Sequence, residues 1–173
     1  MELRDLSVRF GDKVVFDHRD FRLPDQGITL LEGPSGVGKT TLLKALFRAY
    51  RGDTAFLFQE DRLLPWRTVE QHLTDVMDKP RWGEVPGLLA LVELTGEEGA
   101  YPGELSGGMA RRLALGRCLA LGGARYLLDE PFAGVDAPRQ KRILERLKAL
   151  DKPVVLTAHD QALHPLVDHI VTL

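Results

Sequence analysis

The feature that most limits the possible folds is a glycine-rich turn between a short apolar strand and a helix-forming segment. Residues 33–40 read GPSGVGKT, which fits the pattern G-x-x-x-x-G-K-[ST]. The mostly apolar segment 27–32 precedes this turn, and segment 41–50 follows with leucines at helical spacing. A strand, a glycine-rich loop and a helix in this order predict a phosphate-binding loop on a parallel α/β sheet.

The residue types of this loop suit the phosphates of a nucleotide. Glycines leave its concave face open, so the backbone N–H groups of residues 36–41 can surround a β-phosphate at a helix N-terminus. We expect Lys39 to reach the β- and γ-phosphates and the Thr40 hydroxyl to bind Mg²⁺. The alternative, a chance glycine-rich turn, is disfavoured by the flanking strand and helix. The predicted nucleotide-binding residues of the loop are Gly33, Ser35, Gly36, Gly38, Lys39, Thr40 and Thr41.

The rest of the chain continues the alternation of strands and helices. Apolar periodicity predicts strands at 54–59, 126–129 and 153–158 and helices at 107–121 and 138–150. The first 16 residues read as a β-hairpin, and residues of about 60–105, broken by prolines, read as a small helical insert. We therefore expect a single domain over residues 1–173, with a mainly parallel sheet covered by helices on both faces. Ligands bind beyond the carboxyl ends of such strands.

Two further motifs could act on a nucleotide. Asp129 ends an apolar strand and Glu130 follows, so one carboxylate can hold Mg²⁺ and the other can orient the attacking water. A solvated strand end would explain this pair if it stood alone. Ser106, Gly107 and Gly108 begin a helix, where they form either a simple N-cap or a second phosphate-binding surface. Two such surfaces in one chain suggest a nucleotide held between two copies.

Together these motifs resemble the ATP-binding cassette (ABC) family of P-loop NTPases: GPSGVGKT looks like its Walker A, LSGGM its signature and YLLDE its Walker B. The resemblance implies that Gln59 is the Q-loop glutamine, which touches Mg²⁺ or water. It implies that Asp136 is the D-loop aspartate and that His159 is the switch histidine at the γ-phosphate. It also implies that Phe10 stacks on adenine. Each residue also has a purely structural alternative: Gln59 as an exposed strand end, Asp136 as a helix N-cap and Phe10 as a core or hairpin aromatic.

The resemblance implies an ATPase subunit of a transporter that uses ATP and Mg²⁺ and forms an ATP-dependent homodimer. Integral membrane subunits would bind through the Gln59 loop and the helical insert, at the cytoplasmic face of the cell membrane. Segment 59–69 is similar to importers of the nitrate, sulfonate and taurine group, and Leu63, Leu64 and Trp66 would either receive a membrane subunit or pack on the insert. The alternatives are an ABC clamp in nucleic-acid metabolism and a low-turnover nucleotide-binding regulator.

Composition argues against other classes of protein. The chain has 173 residues, 44% of them hydrophobic, and a net charge of −2, so it can form a core but lacks the basic excess typical of nucleic-acid binding. The only cysteine, Cys118, excludes an internal disulfide and is expected to be a core thiol in a reducing cytosol. We expect the histidines other than His159 on the surface. On the predicted helix 107–121, we expect a solvated or interface position for the side chains of Arg111, Arg112 and Arg117.

Two features depart from the family pattern. Lys39 and Gln59 are only 20 positions apart, which is short for the family and predicts a reduced antiparallel β-subdomain. Met109 stands where glutamine is the commonest signature residue, and this change is expected to modulate activity without abolishing it, since serine and backbone groups make the phosphate contacts.

Overall fold

The computed structural model describes residues 1–158 and 160–173. Their strands are β1 (Glu2–Phe10), β2 (Lys13–Arg22), β3 (Ile28–Glu32), β4 (Thr54–Leu57), β5 (Arg125–Leu128), β6 (Val154–Thr157) and β7 (His169–Thr172). Their α-helices are α1 (Lys39–Ala49), α2 (Val69–Thr74), α3 (Val85–Leu91), α4 (Gly107–Leu121) and α5 (Ala137–Lys148). Short 3₁₀ segments lie at Arg51–Asp53, Lys79–Glu84, Pro102–Glu104 and Gln161–Leu166.

A five-stranded parallel sheet of order β4-β5-β6-β3-β7 forms the centre. Successive residues of its inner strands face opposite sides, because side chains alternate along a strand. Leu30 belongs to the core shared with α2 to α5, whereas Leu31 belongs to the core shared with α1 and the N-terminal hairpin. The prediction of a parallel sheet with helices on both faces is therefore confirmed.

The antiparallel part of the fold is small. Strands β1 and β2 form a separate two-stranded sheet, which packs on α1 through the buried rings of Phe16 and Phe21. Only the 3₁₀ segment Arg51–Asp53 lies between α1 and β4. The prediction of a reduced β-subdomain is confirmed, since the space between Lys39 and Gln59 holds one helix, one turn and one strand.

Two elements were not predicted. The edge strand β7 pairs in parallel with β3, but His169 and Ile170 are exposed, so it lacks the apolar run that reveals a buried strand. The short helix α2 begins with a capping box, in which the Thr68 hydroxyl accepts from the Gln71 amide and the Gln71 side chain accepts from the Thr68 amide.

Several charged side chains are buried, contrary to expectation. Arg111 and Arg112 are 2% and 6% exposed, and Arg117 is half-buried, because their guanidinium groups donate to backbone carbonyls that would otherwise lack partners. His72 is also buried: its Nδ1 donates to the Thr68 carbonyl and its Nε2 accepts from the Leu64 amide. The surface predictions for Arg111, Arg112 and His72 are therefore wrong.

The single thiol behaves as expected of a core residue. Cys118 lies inside α4 and is buried, and burial raises the pKa of its thiol to about 12. At neutral pH this cysteine is protonated and unreactive.

Helix α5 is tied to the segment after α3 by one shared carboxylate. The Glu93 carboxylate lies within 3.3 Å of Arg139 Nε, within 3.7 Å of Arg146 Nη1 and closest to Arg142. Arg146 also donates to the carbonyls at the end of α3. These contacts join the region of residues 60–105 to the helix that follows β5.

In the part of the chain that is described, no helix is long and apolar enough to cross a bilayer.

Candidate functional site

The glycine-rich loop between β3 and α1 forms the floor of a cleft. Lys39 is the first residue of α1, and its Nζ donates to the Gly33 carbonyl at 2.7 Å and to the Pro34 carbonyl at 3.1 Å. Gly38 has φ +116°, and a Cβ there would meet the Phe16 ring at 2.7 Å. Only glycine fits this position, because the conformation is left-handed and the hairpin is close.

The cleft brings together residues from four separate segments of the chain. Phe10 at the end of β1 is 62% exposed and lies at its rim, so it is no core aromatic. The volume of about 310 Å³ is that of a small-molecule pocket. The lining residues are Phe10, Lys13, Val15, Ser35, Gly36, Gly38, Lys39, Thr40, Thr41, Gln59 and Glu130.

The donor set beside the loop fits Mg²⁺. Asp129 is buried at the end of β5, and its Oδ1 accepts from the Thr40 hydroxyl at 3.1 Å and from the Thr157 hydroxyl at 2.8 Å. A carboxylate and a hydroxyl in direct contact are the hard oxygen ligands that Mg²⁺ prefers. The residues present therefore suit the ion that the loop motif implies.

Glu130 adopts an unusual backbone conformation. Its φ is +51°, in the left-handed region that few residues other than glycine adopt. Its N–H donates to the Thr157 hydroxyl at 2.9 Å, and its carbonyl accepts from Arg111 Nε at 2.9 Å. Its carbonyl and amide are thus both fixed from neighbouring elements, and the residue lines the cleft. Such strain is often found where a side chain must be aimed.

Gln59 follows β4 and borders the same cleft, with an exposed side chain. Its carbonyl accepts from Arg111 Nη1 at 3.1 Å. Strands β4, β5 and β6, whose ends carry Gln59, Glu130 and Thr157, are neighbours in the sheet order, so these residues lie along one edge of the sheet.

The signature residues lie outside this cleft. Ser106 is the exposed N-cap of α4, with its hydroxyl accepting from the Met109 amide at 3.2 Å, and Gly107 beside it has open space around it. Gly108 packs on the loop before α5, since a Cβ there would lie 2.5 Å from the Gly134 carbonyl oxygen. Within a single chain these residues do not border the pocket that contains Lys39.

Asp136 caps α5 through its carboxylate, which accepts from the Arg139 amide at 3.1 Å. The Arg139 side chain beside it lowers the pKa of this carboxyl group. The N-cap interpretation of Asp136 is therefore correct, and its action across a dimer stays a prediction. His159 lies outside the described residues.

Sequence reasoning missed four residues at or beside the site: Thr157, Arg111, Lys13 and Val15. The spacing of residues gives no signal for Arg111, because all its partners are more than 17 positions away in the chain. Thr157 offered a weak signal, since a polar residue at the end of a buried strand faces the ligand edge of the sheet.

The comparisons with known proteins agree with this geometry. The family model described as ABC transporter matches residues 47–133. An aliphatic sulfonates import ATP-binding protein of Rhodococcus jostii is 37% identical over 92% of this chain and 72% of its own length. The chain belongs to the ABC transporter family. A sulfate/thiosulfate import ATP-binding protein of Mycolicibacterium paratuberculosis is 35% identical over 92% of this chain, which spans 52% of that relative. The chain thus covers about half the length of such longer relatives.

Solved structures confirm the fold. The ATP-binding subunit of an ABC transporter superposes with a TM-score of 0.85 at 24% identity, over 99% of this chain and 85% of that one. A dimeric cassette in a post-hydrolysis state, bound to ADP and phosphate, gives a TM-score of 0.82 at 22% identity, over 99% and 93%. The architecture of this chain is therefore that of ABC ATP-binding subunits.

Proposed function

We propose that this chain binds and hydrolyses ATP as the nucleotide-binding subunit of an importer. The proposal rests on one observation: Lys39, Glu130 and the touching oxygens of Thr40 and Asp129 lie together at the carboxyl ends of parallel strands. The relatives at 35 and 37% identity are import ATP-binding proteins, for sulfate or thiosulfate and for aliphatic sulfonates. Sulfur oxyanions are therefore the first solutes to test. Neither these relatives nor the site favours a nucleic-acid clamp.

In the proposed reaction Lys39 leaves the carbonyls of Gly33 and Pro34 and binds the β- and γ-phosphates. Thr40 and Asp129 would hold Mg²⁺, which would neutralise charge on the phosphates. The Glu130 carboxylate orients a water molecule in line with the γ-phosphate and accepts its proton. Gln59 and His159 contact this water or the phosphate, and Phe10 stacks on the adenine ring.

The second half of the proposal is an ATP-dependent homodimer. Ser106, Gly107 and Gly108 are exposed or half-buried at a helix N-terminus and, among the described residues, are not part of the lining of the Lys39 cleft. A helix N-terminus favours an anion. We therefore place the γ-phosphate of the partner copy at this surface, with Asp136 beside it, and regard residues 1–173 as one ATP-binding domain with a helical insert near 60–105.

The proposed membrane partner binds beside Gln59. Leu64 and Trp66 are exposed in the loop after it, whereas Leu63 packs against the core. Exposed apolar side chains on a rigid support are typical of a protein interface. This loop and the insert would receive a cytoplasmic helix of an integral membrane subunit, which places the chain at the cytoplasmic face of the membrane.

The catalytic assignment is tested by Glu130→Gln, with the exposed α5 residue changed in Glu145→Gln as a matched control. We expect the Mg²⁺-dependent release of phosphate from ATP to fall at least about 100-fold in Glu130→Gln only, since general-base catalysis contributes that much. ATP binding, measured by calorimetry, should persist. Equal rates in the two variants would contradict the catalytic role of Glu130.

The dimer is tested by Ser106→Ala in the Glu130→Gln background, by light scattering with ATP and Mg²⁺. Thr68→Ala is the control, because the Thr68 hydroxyl caps α2 in the same way but lies away from the proposed interface. Both variants lose an N-cap worth about 1 kcal/mol. Only Ser106→Ala should stay monomeric with ATP; dimers in both variants would contradict the proposal.

Purification of the native complex tests the transport role. An importer subunit should be recovered together with an integral membrane subunit.

A further inference from the structure

The side chain of Arg111 links two parts of the site that are far apart in sequence. Arg111 lies in the second turn of α4, and its guanidinium is buried. Its Nη1 donates to the Phe58 carbonyl at 2.8 Å, to the Gln59 carbonyl at 3.1 Å and to Asp61 Oδ1 at 2.8 Å. These acceptors form the start of the loop that follows β4.

The other nitrogen atoms of the same guanidinium bind the end of β5. Nη2 donates to the Asp129 carbonyl, and Nε donates to the Glu130 carbonyl at 2.9 Å. A planar guanidinium has five N–H donors in a fixed geometry, so it sets the distance between the groups that it joins. Arg111 therefore holds the backbones of the Gln59 loop and of the two acidic residues in one arrangement.

This arrangement matters because the Glu130 backbone is strained. Its φ of +51° persists only where neighbouring groups fix the chain, and Thr157 fixes the amide while Arg111 fixes the carbonyl. Without the guanidinium, the peptide between Glu130 and the next residue could rotate toward a more favourable conformation. The direction of the Glu130 carboxylate would change with it.

We propose that Arg111 is a positioning residue: it orients Glu130 for in-line attack and couples that orientation to the backbone of Gln59. The inference rests on the proposed ATPase function for its kinetic part only. Arg111 is not among the residues that line the cleft, so it acts through the two residues that it holds.

The chain supplies a matched control in the next residue. Arg112 is buried in the same turn of α4, but its guanidinium donates to the carbonyls of Val92 and Glu93, away from the cleft. Arg111→Gln and Arg112→Gln each remove a buried guanidinium from one helix. A merely structural role predicts similar effects for both variants, whereas positioning predicts a catalytic effect for Arg111→Gln alone.

The first readout is steady-state hydrolysis of ATP with Mg²⁺. We expect Arg111→Gln to lower kcat about 10- to 100-fold, as a small displacement of a reacting group does, with KM changed by less than about threefold. Arg112→Gln should keep kcat within about twofold of the wild type. A wild-type kcat in Arg111→Gln, or an equal loss in both variants, would overturn the inference.

The second readout does not need activity. Hydrogen exchange of the Glu130 amide, resolved by NMR, reports the bond to the Thr157 hydroxyl that protects this amide. This exchange should become about tenfold faster in Arg111→Gln and stay unchanged in Arg112→Gln. Unchanged exchange in Arg111→Gln would overturn the inference. If the wild type does not hydrolyse ATP, the proposed function fails, and this measurement still decides the role of Arg111.

A variant that keeps the fold covers the case in which Arg111→Gln does not fold. Asp61→Asn alters only the charged, partly exposed partner of Arg111. It should lower kcat about twofold to tenfold and speed exchange of the Glu130 amide. If kcat and the exchange rate of Asp61→Asn both equal the wild-type values, the proposed coupling of Glu130 to the Gln59 backbone is contradicted.

Discussion

Gly108 packs so closely on the loop before α5 that alanine should not fit. A Cβ built on Gly108 lies 2.5 Å from the Gly134 carbonyl oxygen, about 1 Å inside ordinary van der Waals contact. Because the obstacle is backbone, the loop that leads to Asp136 must move. Forced displacement of this kind costs about 1–3 kcal/mol. For a chain of this size that is a drop of about 2–12 °C in Tm.

Gly107 is the matched control, since a Cβ there has open space and the residue is already helical. Gly107→Ala should leave the free energy of unfolding unchanged or raise it by about 0.5 kcal/mol. It should still prevent ATP-dependent dimerisation, because its Cβ stands on the surface offered to the partner's γ-phosphate. Urea denaturation measures the stability of both variants, and light scattering with ATP measures the dimer. A Gly108→Ala variant as stable as Gly107→Ala would refute the packing argument.

Three further predictions concern the cleft and the insert. Thr157→Val leaves the Glu130 amide without its hydroxyl acceptor, so the free energy of unfolding should fall by about 1–3 kcal/mol, and single-turnover cleavage of ATP should slow. Lys39→Ala should weaken ATP binding at least about tenfold by calorimetry, since bonds to charged groups contribute about 1.5–3 kcal/mol. Burial lowers the pKa of His72, so the unfolded chain takes up a proton more readily below about pH 6.5. The free energy of unfolding should therefore fall as the pH is lowered below about 6.5, by at most about 1.4 kcal/mol per pH unit, and it should fall less in His72→Gln. Urea denaturation repeated at each pH measures this difference.

Each of these predictions has a control in the same molecule. Thr29 is buried, but its hydroxyl has no hydrogen-bond partner among the described residues, so Thr29→Val should not destabilise the chain. Lys44 is exposed on α1, and Lys44→Ala should keep ATP affinity. His18 is exposed and its pKa is raised by Asp5, so His18→Gln should not reduce the loss of stability in acid. Equal effects of a variant and its control would contradict the corresponding prediction.

Local patterns predicted most of the fold and much of the cleft. The loop around Lys39 needs glycines at set positions, and its strand and helix have clear periodicity, so the motif and its context were both readable. The Thr40–Asp129 contact was also predictable, because parallel strands place their carboxyl ends along one edge. The order of strands then brought Gln59 and Glu130 to the same cleft.

Long-range partners explain what the sequence could not predict. Arg111 and Arg112 looked like solvated helix charges, yet their acceptors are carbonyls that become available only when separate loops pack against α4. His72 is buried for the same reason, because its ring bridges α2 and the Leu64 amide. Strand β7 has a mixed composition and becomes a strand only by pairing with β3.

Three arginines of α5 share the carboxylate of Glu93, and Arg139 also pairs with Asp136 at the start of the helix. Replacing one arginine leaves two others to neutralise the carboxylate, so the joint between the insert and α5 tolerates variation at Arg139, Arg142 or Arg146. Replacing Glu93 instead removes the shared carboxylate from all three arginines, whose like charges then lie close together along α5. The contact between the insert and α5 is therefore less sensitive to the loss of one arginine than to the loss of Glu93.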